Sequence, residues 1–309
     1  MLFLTALGSV STMLLYAMPG FLLVKTKLVK SDSISAFARL LMCVSSPCLV
    51  FSSITKNPFS RELALQMLFA FVIILSLLLI GIFGFYFIFR KKRDDVRYRI
   101  YTLATTLANG AFMGVPILIA LLPEYPQAVA FSAMFSLGLN IIGWSVGSYI
   151  ISGDKKYVSI KKILLNPATI ALVVAIPFFV FGIQLPALLD DMVSLLAKMS
   201  TPLCMLIVGM RLATASLKGV FLKPMQYLIV GIKQILFPLI VLLLLLPLPL
   251  DIGLKKSIYI IFACPVASVV LSFSEMIGKG QKDAANLVLL GTLLSAVTIP
   301  VMSLLVCLF

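Results

Sequence analysis

Ten apolar runs, each long enough to cross a bilayer, constrain this chain more than any other feature. They cover roughly residues 2–24, 34–54, 63–89, 99–122, 126–151, 166–182, 191–212, 225–247, 256–277 and 284–308. A helix rising ~1.5 Å per residue needs about 20 residues to traverse the ~30 Å hydrocarbon core, and in that medium only helices and closed barrels satisfy their own backbone. The runs predict an all-α membrane protein of ten transmembrane helices. Every connection is short, the longest being about 152–165, so residues 1–309 read as a single membrane domain without a soluble module.

Charge supports this reading and excludes others. Only 12% of the residues are charged, against about 25% in a soluble domain. The net charge of +14 does not point to nucleic acid, because nineteen of the 25 Lys and Arg residues cluster in or beside the connections after the first, third, fifth, seventh and ninth runs. By the positive-inside rule those connections face the cytoplasm and both termini lie outside, which suits a multi-pass protein of the plasma (inner) membrane. The first run has no basic residues before it and Lys25, Lys27 and Lys30 after it, so it reads as a retained helix and not a cleaved signal. The five cysteines fall inside apolar runs, and with no histidine and no Cys-x-x-Cys pair neither a metal site nor another cofactor is expected.

Two sets of five helices, about 1–151 and 166–309, must cross in opposite senses, so any internal repeat is an inverted one joined by the short cytoplasmic linker 152–165. Prolines fall at corresponding places: Pro47 in the second run against Pro202 in the seventh, and Pro116 in the fourth against Pro265 in the ninth. The stretch Asn109-Gly110-Ala111-Phe112-Met113-Gly114-Val115-Pro116 lies near the bilayer midplane, where Gly and Pro open a helix. Opened backbone at that depth is tolerated only when buried in protein or lining a wet cavity. A packed kink is the plain alternative; paired interruptions favour a binding site.

The same residues resemble the auxin efflux carrier family. Asn109–Pro116 followed by Ile117-Leu118-Ile119-Ala120-Leu121 is similar to that family's fourth-helix signature. Asn166-Pro167-Ala168-Thr169 with Gly182-Ile183-Gln184-Leu185-Pro186 is similar to its sixth helix, Thr201-Pro202-Leu203 with Gly209-Met210-Arg211 to its seventh, and Ala263-Cys264-Pro265 to its ninth. The resemblance implies two inverted five-helix repeats whose broken helices 4 and 9 cross near the midplane. It implies a scaffold of helices 1, 2, 6 and 7, usually dimeric, and a transport unit that moves against it like an elevator. It also implies a permease for organic acid anions, malate or related dicarboxylates in the bacterial members.

An anion suits such a crossing on physical grounds, since broken helices present free N–H groups and the positive ends of half-helix dipoles. Asn109, Gly110, Gly114, Pro116 and Pro265 are the expected substrate-binding centre. Asn140, in the fifth run, is expected to bond either substrate or a neighbouring helix, and the resemblance favours the pocket. Ser268 and Ser272, one turn apart, either line the cavity or bond back to their own helix. Lys198 and Lys233 lie about seven and eight residues into their runs, where each either attracts an anion or reaches to an interface. Glu275 is the acid nearest to serving a coupling role, so proton symport, sodium symport and uniport all stay open. A symporter of the sodium/bile-acid type is the alternative carrier. An intramembrane enzyme lacks the His or paired buried acids it would need, and a membrane sensor would carry a signalling domain.

Overall fold

A computed structural model describes residues 1–309, with the side chain of Leu217 outside the description. In chain order its main elements are α1 (Leu2–Lys25), α2 (Ser31–Thr55), α3 (Arg61–Ile88), α4 (Val96–Ala104), α5 (Gly114–Leu121) and α6 (Ala128–Ser152). There follow α7 (Lys155–Val180, regular over Pro167–Val180), α8 (Ala187–Thr214), α9 (Pro224–Leu245), α10 (Ile252–Ala263), α11 (Val269–Ile277) and α12 (Gln281–Leu308). The protein is all-helical, and eight of these helices are long and apolar enough to cross a membrane. The fourth and ninth runs each divide into two short helices, α4 and α5 in one, α10 and α11 in the other.

Several helices begin earlier than the apolar runs suggest, because their caps are polar. Asp95 accepts from the Arg97 N–H at 2.9 Å and Asp251 from the Leu254 N–H at 2.9 Å, which starts α4 at Val96 and α10 at Ile252. Each cap satisfies an amide that would otherwise be orphaned in the first turn. Helix α8 also starts early, at Ala187, but without a side-chain cap: it follows Pro186 directly and carries Asp190 in its first turn. Lys198 is therefore the twelfth residue of that helix and not about the seventh, roughly 17 Å along the axis at ~1.5 Å per residue.

Helices α1 and α8 approach until their backbones touch. A Cβ on Gly20 would run into the Leu206 carbonyl, and one on Gly209 into that of Ala17. Lipid tails are as apolar as leucine, so close packing over small residues is what holds such a pair together. Helix α2 packs on α7 and α8, α3 on α6, and α9 on α10 and α12, while α5 is wedged between α1, α6 and α10. Wide π-type turns interrupt α2 at Leu41–Ser45, α6 at Gly143–Gly147 and α9 at Ile232–Leu236. The turn in α9 rotates Lys233 and Gln234 inward, and both are completely buried.

Candidate functional site

The two broken segments meet at their breaks. The Asn109 N–H donates to the Pro265 carbonyl at 2.8 Å, and the Ala267 N–H donates to the Leu107 carbonyl at 2.9 Å. These bonds make an isolated antiparallel bridge between Ala108 and Val266. Backbone groups released by the interruptions thus satisfy one another inside the protein, which is what makes non-helical backbone tolerable at this depth. Pro265 lacks an N–H and ends α10, leaving Cys264 extended. Gly110 is required by space, since a Cβ there would strike Ile261 and Phe135. Pro116 has a different role from the one its sequence position suggests. It lies in the first turn of α5, where a missing N–H costs nothing, so it starts a helix and the break precedes it.

Side chains from other helices complete the crossing. Ser132 of α6 donates to the Gly110 carbonyl at 3.0 Å, and Thr201 of α8 donates to the Phe112 carbonyl at 2.9 Å. The Asn109 carbonyl accepts from Met113 and Gly114, each at 3.2 Å, and closes the start of α5. Among the described residues nothing accepts from the N–H groups of Gly110, Ala111 and Phe112. The hydroxyl of Thr106, fully buried just before the break, is also without a partner. Helices α5 and α11 both begin at the crossing, so their positive ends converge there.

A cavity of about 830 Å³ opens beside it, between α1, α2 and α8 on one side and α5 and α6 on the other. Its lining reaches the crossing at Val115, Pro116 and Thr201, and its charged residues are Lys56 and Lys198. The lining includes Asn57, from the connection after α2, and Pro126, from the turn after α5, so the cavity opens on the face opposite the basic loops.

The expected site residues fall at the crossing, beside it or away from it. Asn109, Gly110, Gly114 and Pro265 are buried at the crossing with Pro116, and the Asn109 amide lies against the Cys204 thiol of α8, behind the cavity wall. Ser268 and Ser272 lead off the crossing on the α11 side, half-buried. Lys198 is exposed and lines the cavity. Asn140, in contrast, exchanges a pair of amide hydrogen bonds with Asn166, at 3.3 and 3.2 Å, and Asn166 also caps α7 by accepting from the Ala168 N–H at 3.0 Å. This is the helix-to-helix arrangement, and Asn140 does not line the cavity. Lys233 reaches no interface: its ammonium donates to the Phe262 carbonyl at 2.7 Å, at the end of α10. Glu275 is bound to Arg211 at 2.8 Å on the exposed basic end of α11, away from the crossing.

Sequence reasoning missed Thr106, Ser132 and Lys56 as members of the site, and did not foresee that Thr201 reaches another helix. A hydroxyl beside a proline or a glycine break is the signal that was available, but its target on another helix is not written in local spacing.

The chain is similar to an uncharacterized transporter of Methanocaldococcus jannaschii, 25% identical over 205 residues that cover 63% of this chain and 65% of the relative. The match thus spans just under two thirds of that relative's length. The sequence pattern of the family described as "Membrane transport protein" matches residues 5–162 and 153–303. With multiple apolar helices and that pattern running through nearly its whole length, the chain is a multi-pass membrane protein and belongs to this family, that of the auxin efflux carriers.

Proposed function

We propose that the protein is a secondary carrier of small organic acid anions, dicarboxylates such as malate foremost, which bind where the two broken segments meet. The observation that carries this reading is the Ala108–Val266 bridge, with the N-terminal ends of α5 and α11 converging on it and unpaired N–H groups at Gly110–Phe112. An anion satisfies such groups without needing a full countercharge in the membrane. Two lysines in the adjoining cavity, and no acid in its lining among the described residues, favour a ligand with two negative charges.

In this reading the ten crossings form two inverted five-helix repeats. Helices α1, α2, α7 and α8 are the scaffold, and α3 to α6 with α9 to α12 are the moving unit. The cavity lies on the seam between these groups, as a binding site carried past a fixed wall requires. Its mouth faces away from the basic loops, so the conformation is open to the outside. The Lys233 Nζ already occupies the C-terminal end of α10 and satisfies the Phe262 carbonyl there, which supports transport that needs no sodium ion at that point.

Equilibrium binding to the purified protein tests the site. Titration with malate, malonate and monocarboxylates should give saturable binding, tighter for the dicarboxylates, that weakens in Lys56→Gln/Lys198→Gln. Binding no tighter for two carboxylates than for one removes the dicarboxylate assignment.

A further inference from the structure

At the basic end of the molecule two concavities meet where α3 and α6 run out into the loops. One, of about 210 Å³, is polar and is lined by Arg93, Asp94, Tyr98 and Arg99. The other is an open trough of about 970 Å³ with walls of Phe83, Val146, Val158 and Ile160 and with Lys155 in its lining. Tyr86, Tyr149 and Ile150 belong to both, so the two form one groove that is cationic at one end and apolar along the other.

The cations at the polar end are available. Arg93 donates to the Tyr86 hydroxyl at 3.0 Å and Arg99 to the Arg93 carbonyl, and among the described residues neither guanidinium is paired with a carboxylate. The nearby acids are engaged elsewhere: Asp95 holds Arg97 at 2.6 Å and Asp154 holds Lys156 at 3.1 Å. The hydrogen bond from Arg97 keeps the Asp95 carboxyl below the usual carboxylate range, so it stays committed to that partner. Asp94 is the one acid in the lining, against Arg93, Arg99 and Lys155.

The apolar end leads onto the membrane-facing surface of α3, where Ile80, Phe83 and Phe87 are exposed. A ligand that fits must therefore carry a phosphate-like head and a hydrocarbon tail, and must arrive from the side. We infer that this groove binds one anionic phospholipid from the leaflet on the basic side, with its phosphate held by Arg93, Arg99 and Lys155. One acyl chain lies along Phe83, Val146, Ile150 and Ile160. Guanidinium groups match phosphate oxygens in pairs, and basic residues beside a membrane attract anionic headgroups. The lipid ties the loop that leads into α4, and so into the crossing, to the end of α6.

Native mass spectrometry of the full-length protein in neutral detergent tests this, with phosphatidylglycerol and phosphatidylcholine of matched chains as probes. The wild type should bind one phosphatidylglycerol about tenfold more tightly than phosphatidylcholine. Arg93→Gln/Lys155→Gln should weaken phosphatidylglycerol by roughly fivefold per charge removed and weaken phosphatidylcholine less, since its choline cation offsets the charge of the same phosphate, so that the preference between the two lipids is lost. Val146→Trp, which fills the trough, should weaken both lipids, and Ile160→Asp at the exposed rim gives the same reading if the tryptophan variant does not fold. Equal binding of the two lipids by the wild type overturns the assignment, as does phosphatidylglycerol binding unchanged in the double variant. Displacement of the lipid by glycerol phosphate at comparable concentration also overturns it, since the site would then recognise only a phosphate.

Discussion

Thr201→Val separates a carrier that moves at the α8 seam from a rigid protein with a decorative crossing. The Thr201 hydroxyl reaches from α8 to the Phe112 carbonyl at 2.9 Å, which joins the proposed scaffold to the proposed moving unit. If α5 slides past α8 this bond must break, so it stabilises the present conformation and not the alternative. A neutral hydrogen bond of this kind contributes a net ~0.5–1.5 kcal/mol, which corresponds to a factor of about 2 to 12 in the ratio of the two states. Valine keeps the shape of threonine and loses only the donor. The ratio can be read by electron-spin distance measurement between labels at Thr12→Cys and Val129→Cys, on opposite walls of the cavity. Cys43 and Cys307, which are exposed, would first be replaced by serine. Thr201→Val should lower the ratio of long to short distances by about 2- to 12-fold. An identical distribution in a variant of unchanged thermal stability would refute the assignment of Thr201 to a bond that breaks on transport.

Other consequences follow from packing and charge. Gly209→Ala forces apart helices whose backbones are already in contact at Ala17, and should destabilise the protein by ~1–3 kcal/mol, seen as earlier thermal unfolding in detergent; an unchanged midpoint would contradict the packing. Asn140→Ala removes both bonds to Asn166 and should cost ~1–3 kcal/mol of stability with no change in anion affinity, whereas a selective loss of affinity would return Asn140 to the pocket. Lys198→Gln should weaken dicarboxylate binding by about 2- to 5-fold at low salt, as expected for an exposed charge. The effect should fade toward 1 M salt, where the screening length falls to about 3 Å. A loss of the same size at both salt concentrations would mean that Lys198 acts through packing and not through its charge.

Much of this architecture was legible in the sequence because the bilayer imposes it. Run length gave the helices, and Pro265 with the glycines around Asn109 marked where two of them open. Their mutual pairing was visible in the residues as a correspondence of positions and was implied by the family resemblance, and became a hydrogen-bonded bridge once the fold brought Leu107–Asn109 against Pro265–Ala267. What stayed hidden depends on rotation and on distance along the chain. Lys233 looks like any lysine that could snorkel until a π-type turn points it at Phe262. Asn140 finds Asn166, 26 residues on, and Thr201 finds Phe112, 89 residues back. Local spacing says that a buried amide or hydroxyl needs a partner, and cannot say which helix supplies it. Helix starts were misplaced where charged residues such as Arg97 and Lys255 interrupted the hydropathy but a capping aspartate had already begun the turn.

The central claim is that the crossing carries organic anions through the membrane, and flux tests it most directly. Proteoliposomes containing the purified protein should take up labelled malate or a related dicarboxylate in sodium-free buffer, with saturation, competition by unlabelled dicarboxylate, and loss of uptake in Gly110→Ala, where the new methyl meets Ile261 and Phe135. No saturable flux for any member of a panel of mono- and dicarboxylates, with or without imposed proton and sodium gradients, would contradict the account.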